Sequence, residues 1–446
     1  MQRSHHKIRL YIPFLWLLFI MYGSFIPFQI RPVYFIDAIR QFKHIPFLNF
    51  GIVSREDWVS NILLYIPLGF FLTGWISKKT DSFNKNCLIF LAVFIFCILM
   101  SVFIEFSQIF FAMRTASLND VLANAIGSLI GIFLWFISGQ GLIRAWLSAK
   151  NNSRPESALS AFLFLYMLSL FAISLFPFDF LFSAREIELK YGMWKAQPFL
   201  FNVNFSIRSI IQTVAEAALF IPAGGFIGLK FRHSTVTKKM VLTFLLSFFI
   251  GFGIEFIQFF TASGISEFFS VVVRVLGAFA GLFMVKIDFS CYEKKLKPYM
   301  KYIIMFIFPI YLVIVLKLSG WSETGWLDIS KGFSRFDLHM MLPFYFDYFS
   351  TETRAVLSVL FNFGLYVPVG FSGWLLSSYK KGHKAWYMRG SVILSMFLSL
   401  FIETGRLFQK GLHPDFTNII IAGVSAAIIF KLSNRFFPVF QQVLNE

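Results

Sequence analysis

A chain of 446 residues in which 57% of side chains are hydrophobic and 14% charged has too little polar surface to enclose a soluble core of that size. That excludes an ordinary globular protein and points to a polytopic membrane protein. The formal net charge of +17 gathers in short segments between apolar runs, so it reads as membrane topology and gives no sign of a nucleic-acid partner.

Apolar runs near 10–28, 59–76, 88–111 and 118–137 are long enough, or nearly so, for the roughly 20 residues that cross a bilayer. The same order returns at 158–177, 209–229, 240–260 and 268–285, and again at 302–318, 355–376, 391–408 and 416–432. These predict an all-α membrane helix bundle of about twelve helices, built as three tandem four-helix units at 1–148, 149–297 and 298–446. Met1 to Phe28 has the basic start and apolar body of a signal peptide. Its apolar stretch is long, however, no small-residue cleavage pattern follows, and equivalent helices open the other units, so it is expected to remain.

Lys and Arg are retained on the cytoplasmic side of short loops. The basic clusters at 3–9, 78–85, 144–154, 230–239, 286–301 and 380–389, with Lys431 and Arg435, therefore predict cytoplasmic N- and C-termini, in contact with anionic lipid. Longer segments near 29–58, 178–208 and 319–354 then face outward. They interleave aromatics with charge, which suits either an amphipathic stretch that lies in the interface or re-enters the membrane, or a lid over the unit's own helices.

A polar string recurs inside the apolar sequence once per unit. The first copy has Pro46-Phe47, Asn61 before Pro67-x-Gly69, then Glu105, Gln108, Arg114, Asp120, Asn124, Gly127 and Gly131. The second has Pro198-Phe199, Glu216 before Pro222-x-Gly224, then Glu255, Gln258, Ser270, Arg274, Gly277 and Gly281. The third has Pro343-Phe344, Asn362 before Pro368-x-Gly370, then Glu403, Arg406, Asp415, Asn418 and Gly423. With the N-terminus inside, all of these gather toward the outer leaflet.

Glu105 and Gln108, and likewise Asp120 and Asn124, share helix faces that a tight turn brings together. A carboxylate in hydrocarbon costs roughly 2.5–3.5 kcal/mol on insertion scales, so Glu105 or Asp120 is expected to pair with Arg114. Asp120 has a second reading as a helix cap. No local structural role is evident for Glu105. Where the first unit has Asn61 and Asn124, the second has Glu216 and Arg274, which predicts that Asn61 contacts Asn124 and that Glu216 contacts Arg274.

The G-x-x-x-G pairs Gly127/Gly131 and Gly277/Gly281 are expected to pack helices within the chain, and the Pro-x-Gly steps to loosen the second helix of each unit. Cys87, Cys97 and Cys291 read as free thiols. The seven histidines have no metal-ligand spacing, and neither a cofactor motif nor a nucleophile elbow is present.

At these positions the chain resembles the VanZ-like family of bacterial membrane proteins. The resemblance is fullest in the first unit. The second has Gly264 and Ser270 where Arg114 and Asp120 stand, and the third has Arg406 for Gln108, a shorter turn and Lys410 as a stand-in for Arg114. The resemblance implies a multi-pass protein of the bacterial plasma membrane and, from the family's founding member, reduced susceptibility to the glycopeptide teicoplanin. It implies no known reaction.

The leading reading is an envelope protein whose outward polar pocket binds a membrane lipid headgroup, a lipid-linked wall precursor or a lipoglycopeptide. A transporter or scramblase with Glu105, Glu255 and Glu403 along a headgroup path is the alternative. A third reading is an intramembrane enzyme using Glu105 and Asp120.

Overall fold

In hydrocarbon a backbone must satisfy its own hydrogen bonds, and the apolar runs accordingly form helices. The computed structural model describes residues 2–47, 52–77, 82–142, 163–196 without 164, 165, 172 and 177, 207–285 without 232 and 265, 297–378 without 322–324 and 351, and 383–445. Pro198, Phe199, the linker at 151–155 and Cys291 lie outside the described residues.

The first helix set is α1 (Gln2–Phe25), a short α2 (Phe35–Lys43), α3 (Ile52–Ile76), α4 (Phe83–Gln108) and α5 (Leu118–Leu134), which continues as a π turn over Trp135–Gly139. The second is α6 (Tyr166–Leu175), α7 (Ala184–Ala196), α8 (Ile207–Lys230), α9 (Val236–Gln258) and α10 (Phe268–Met284). The third is α11 (Met300–Leu318), α12 (Glu352–Ser377), α13 (Lys384–Leu407) and α14 (Thr417–Asn445), with three short helical turns between α11 and α12. The chain divides into two compact units, Met1–Ile287 with the first two sets and Asp288–Glu446 with the third.

Among the described residues nine helices are long and apolar enough to cross a membrane. The apolar part of α1, Tyr11–Phe25, together with α6 and α10, is shorter than the sequence suggests. Large apolar side chains such as Phe14, Leu15, Leu99, Phe249 and Phe306 stand exposed along the helix flanks, where lipid would cover them. The protein is thus an all-α, multi-pass membrane helix bundle.

Lipid tails are as apolar as leucine, so helices in a bilayer associate through close packing and hydrogen bonds. Glycine supplies the close packing. A Cβ on Gly127 would lie 2.2 Å from Ile62 O, and on Gly131 2.1 Å from Ile66 O, so α5 can press on α3 only without side chains there. The α8–α10 pair repeats the arrangement: a Cβ on Gly277 would lie 2.0 Å from Ala217 O, and on Gly281 1.9 Å from Ile221 O. The G-x-x-x-G steps therefore act within the chain, as expected. The Pro-x-Gly glycines serve the same contact from the other side: a Cβ on Gly69 would lie 2.5 Å from Ser128 O, and on Gly224 1.6 Å from Ala278 O. The helices α3, α8 and α12 run on through Pro67, Pro222 and Pro368. Around the α3–α5 seam, Ile20, Tyr65, Leu68, Ile104 and Ile132 form the buried core of the first set.

The chain leaves α1 and α6 in the same way, through Phe28 and Phe178 at φ 63° and 65°, a left-handed backbone rare for a bulky residue. With α2 and α7 left out of the count, each set has four main helices, first to fourth in chain order, and each makes one isolated bridge to the turn after its third: Ile30 to Phe111, Phe180 to Thr261 and Trp326 to Gln409. A cation from the segment between the first and second long helices caps that turn. Arg31 Nε donates to Ile109 O at 2.7 Å, Lys190 Nζ to Thr261 O, Ala262 O and Gly264 O, and Arg335 to the carbonyls of Leu407, Gln409 and Leu412. Cations are favoured at such carbonyl-rich helix ends. These segments therefore form lids over their own helices, although Tyr34, Phe35 and Ile36 of the first lid remain largely exposed.

Within the unit Met1–Ile287, Arg55 of α3 joins the first set to the second. Its guanidinium makes a two-pronged pair with Glu186 at 3.0 and 3.1 Å and donates to Phe180 O. Glu186 also closes a capping box at the start of α7, where it accepts from Phe182 N and Ser183 N while Ser183 Oγ accepts from Glu186 N.

Candidate functional site

The recurring glutamate has a structural task that its sequence context does not reveal. Glu105 Oε2 accepts from Ser117 N at 3.0 Å, Glu255 Oε2 from Glu267 N at 2.7 Å, and Glu403 Oε2 from Asp415 N at 2.8 Å. In each set the third helix thus pins the first turn of the fourth, 12 residues on. A bond of this kind, with one partner charged, contributes about 1.5–3 kcal/mol. All three glutamates are at least 95% buried.

The next recurring position ties the third helix to the first. Gln108 Nε2 donates to Ser24 O at 3.2 Å, Gln258 Nε2 to Ser174 O at 2.7 Å, and Arg406 Nε to Ser319 O at 3.2 Å. With these two bonds the three sets can be aligned residue by residue. Counted from the glutamate, Ser117, Glu267 and Asp415 share one position, and Asp120, Ser270 and Asn418 another. Asp415 and Asn418 therefore do not correspond to Asp120 and Asn124, and the third turn is no shorter than the others. Pro-Phe sits over the same turn: Pro46 O accepts from Leu118 N, and Phe344 N donates to Thr417 Oγ1.

The polar pairs differ from those expected. Asn61 Nδ2 donates to Asp120 Oδ1 at 2.9 Å, and Asn124 Nδ2 to Ser101 Oγ at 2.9 Å, so the two amides address different partners. Asp120 N in turn donates to Ser117 Oγ, which makes Ser117 the cap of α5. In the second set Arg274 pairs with Glu255, Nη1 to Oε1 at 2.7 Å, in place of Glu216. It also donates to Gly251 O. In the third set Arg406 Nη1 reaches Glu403 Oε1 at 2.9 Å and Asn418 Nδ2 the same oxygen at 3.0 Å. Asn362 bonds back to Ser358 O within α12. Arg114 donates to Ile26 O at 2.9 Å and to Gly23 O, so its guanidinium seats on the carbonyl end of α1.

The ninth residue after the glutamate separates the three sets. In the first it is Arg114, reaching the end of α1. In the third it is Leu412, not Lys410, and its Cδ1 would lie 3.1 Å from a Cβ on Gly320, just past α11. In the second it is Gly264, where a Cβ would meet Gln258 O at 2.4 Å, so this turn admits no side chain as it stands. The second set has a cavity of about 380 Å³ there. Its wall includes Ser174, Leu175 and Phe176 from the end of α6, then Glu216, Glu255, Gln258, Gly264, Glu267, Ser270 and Arg274. Glu255 is committed to Arg274 and Glu267 N, whereas the carboxylates of Glu216 and Glu267 have no hydrogen-bond or ion-pair partner among the described residues. The volume suits a small-molecule headgroup.

The structure thus brings Glu105, Gln108, Arg114, Asp120 and Asn61 to one end of the first set, Glu216, Glu255, Gln258 and Arg274 to the same end of the second, and Asn362, Glu403, Arg406, Asp415 and Asn418 to that end of the third. The sequence reading missed Ser117, Glu267, Lys190, Arg335, Arg55 and Glu186. For Glu186 a signal existed in the Ser-x-x-Glu box at Ser183.

Comparison with curated proteins and with solved structures gives no match. A family model does match, twice, over residues 9–139 and 162–288, the spans of the first and second sets. These two stretches cover more than half of the chain, and the glutamate-to-amide bond recurs in both. The chain belongs to the VanZ/LLP1 family.

Proposed function

We propose that this protein is a bacterial cell-envelope protein that binds the headgroup of a membrane amphiphile, a lipid or a lipid-linked wall precursor, in the polar cavity of its second repeat. The single observation behind this reading is the cavity of about 380 Å³ at the ends of apolar helices, lined by three glutamates and one arginine. A headgroup could sit among these groups while its chains run down the exposed apolar flanks of α8 and α10, where Val214, Leu219, Val272 and Leu276 stand open. The basic clusters favour cytoplasmic termini and an outward-facing cavity. The family's link to teicoplanin susceptibility is consistent with a role at the outer leaflet.

Native mass spectrometry of the full chain with its co-purified lipids tests this reading. Wild type should retain a lipid or lipid-linked adduct that Ser270→Phe, which fills the cavity, loses. An adduct pattern identical in the two proteins, or none in either, would overturn the assignment.

A further inference from the structure

The second repeat has an open seat where the first holds its own guanidinium. In the first set Arg114 occupies the space beyond α1 and donates to Gly23 O and Ile26 O. The register is fixed by Gln108 on Ser24 O and Gln258 on Ser174 O, so Phe176 is the counterpart of Ile26. The equivalent carbonyl end of α6, at Ser174, Leu175 and Phe176, borders the cavity, and the equivalent of Arg114 is Gly264. The third set closes the position with Leu412.

Three features of this seat have the same sign. A helix C-terminus presents partial negative charge. Glu216 and Glu267 face the cavity without a cation of their own among the described residues. The arginine that does line it, Arg274, is taken up by Glu255 and Gly251 O. By contrast, the first set has Asn61 and Ser117 at the positions of Glu216 and Glu267. At these two positions the set that supplies its own cation is neutral and the set that leaves the seat open is acidic, while the first set's Asp120, which stands where the second has Ser270, is bound by Asn61.

We infer that the cavity of the second repeat binds an organic cation bearing N–H donors, a primary ammonium or guanidinium, which takes the place that the Arg114 guanidinium fills in the first repeat. Resting on the headgroup reading above, this assigns the charge of the ligand. The ammonium would donate to Glu216, Glu267 and the carbonyl end of α6. The source is either an amine-bearing lipid headgroup or a soluble amine.

The test uses the full chain in nonionic micelles, with thermal stability and native mass spectrometry as readouts. Phosphatidylethanolamine, phosphatidylglycerol, phosphatidylcholine, free ethanolamine and ethylguanidinium are the probes. Phosphatidylethanolamine should bind and stabilise, phosphatidylglycerol should not, and phosphatidylcholine, whose ammonium has no N–H, should bind more weakly. Glu216→Gln and Glu267→Gln should each weaken phosphatidylethanolamine binding at least about tenfold, the scale of one charged hydrogen bond. Arg114→Gly should open a second seat, raising the stoichiometry of ethylguanidinium from one to two. Should that variant fail to fold, the two glutamine variants still decide the matter. Free ethanolamine binding as tightly as the lipid would assign a soluble amine, and much weaker binding a lipid headgroup. Equal binding of phosphatidylglycerol and phosphatidylethanolamine, or unchanged affinity in both glutamine variants, would overturn the cation assignment while leaving the headgroup reading in place. If neither an amphiphile of any charge nor free ethanolamine bound, both would fall.

Discussion

The first and second repeats share one scaffold and differ in where they keep their charge. Each has a third-helix glutamate pinning the next helix, a glutamine on the end of the first helix and a glycine seam between the second and fourth. In the first, one arginine sits at the rim on helix-end carbonyls, and the neutral Asn124 bonds Ser101. In the second, the arginine has moved inside to Arg274 on Glu255, and the rim position is glycine. The position of the arginine and the placement of the carboxylates differ together, and the cavity lies in the repeat whose rim position is glycine.

The largest effect should come from breaking the interior pair. Arg274→Ala leaves Glu255 buried without compensation and should cost about 3–5 kcal/mol, read as unfolding in mixed micelles. Asn124→Ala at the matching position should cost only about 1 kcal/mol. Equal losses would dissolve the distinction between the repeats.

The shared seam should respond alike in both. A Cβ at Gly127 or Gly277 overlaps a carbonyl of the neighbouring helix, so Gly127→Ala and Gly277→Ala should each cost about 1–3 kcal/mol through forced separation. Cross-linking of cysteine pairs across each seam would show whether both open.

Glu105→Gln keeps an oxygen for Ser117 N and should cost no more than about 1.5 kcal/mol, with amide exchange at Ser117 accelerating. Glu105→Ala removes the acceptor and should cost more. A loss of binding without any change in exchange would return Glu105 to the list of ligand-contacting groups.

The smallest effect concerns the tie between the repeats. The Arg55 guanidinium, chiefly through its hydrogen bonds, holds the Glu186 carboxyl at about 2, below its ordinary 4.5. A depressed folded pKa means that this stabilisation is complete above about 4.5 and is lost as pH falls through about 2. Arg55→Met should flatten the melting profile over that window while leaving it unchanged at neutral pH in slope, if not in height.

Much of this was legible in the sequence because it is local or periodic. Apolar length gave the helices, and the recurring Glu, Gln and Gly positions named the end of each set where the polar groups meet. Partner choice was not legible. Whether Arg274 meets Glu216 or Glu255 depends on how α8, α9 and α10 are rotated about their axes, and spacing along one helix does not report that. The capping cations Lys190 and Arg335 escaped because their acceptors are backbone carbonyls more than 70 residues away, and carbonyls have no sequence signature. Asp415 was misaligned because its carboxylate resembles that of Asp120, whereas its backbone N–H, which bonds Glu403, is common to every residue type at that position except proline.

The proposed cation seat depends on the open position at Gly264 and so belongs to the second repeat, not to the other two sets. An experimental structure of the full chain in bilayer discs rich in phosphatidylethanolamine tests it most directly. Headgroup density is expected between Glu216, Glu267 and the end of α6, with Arg114 and Leu412 filling the matching places in the other two sets. An empty cavity under those conditions, or headgroup density at all three places alike, would contradict it.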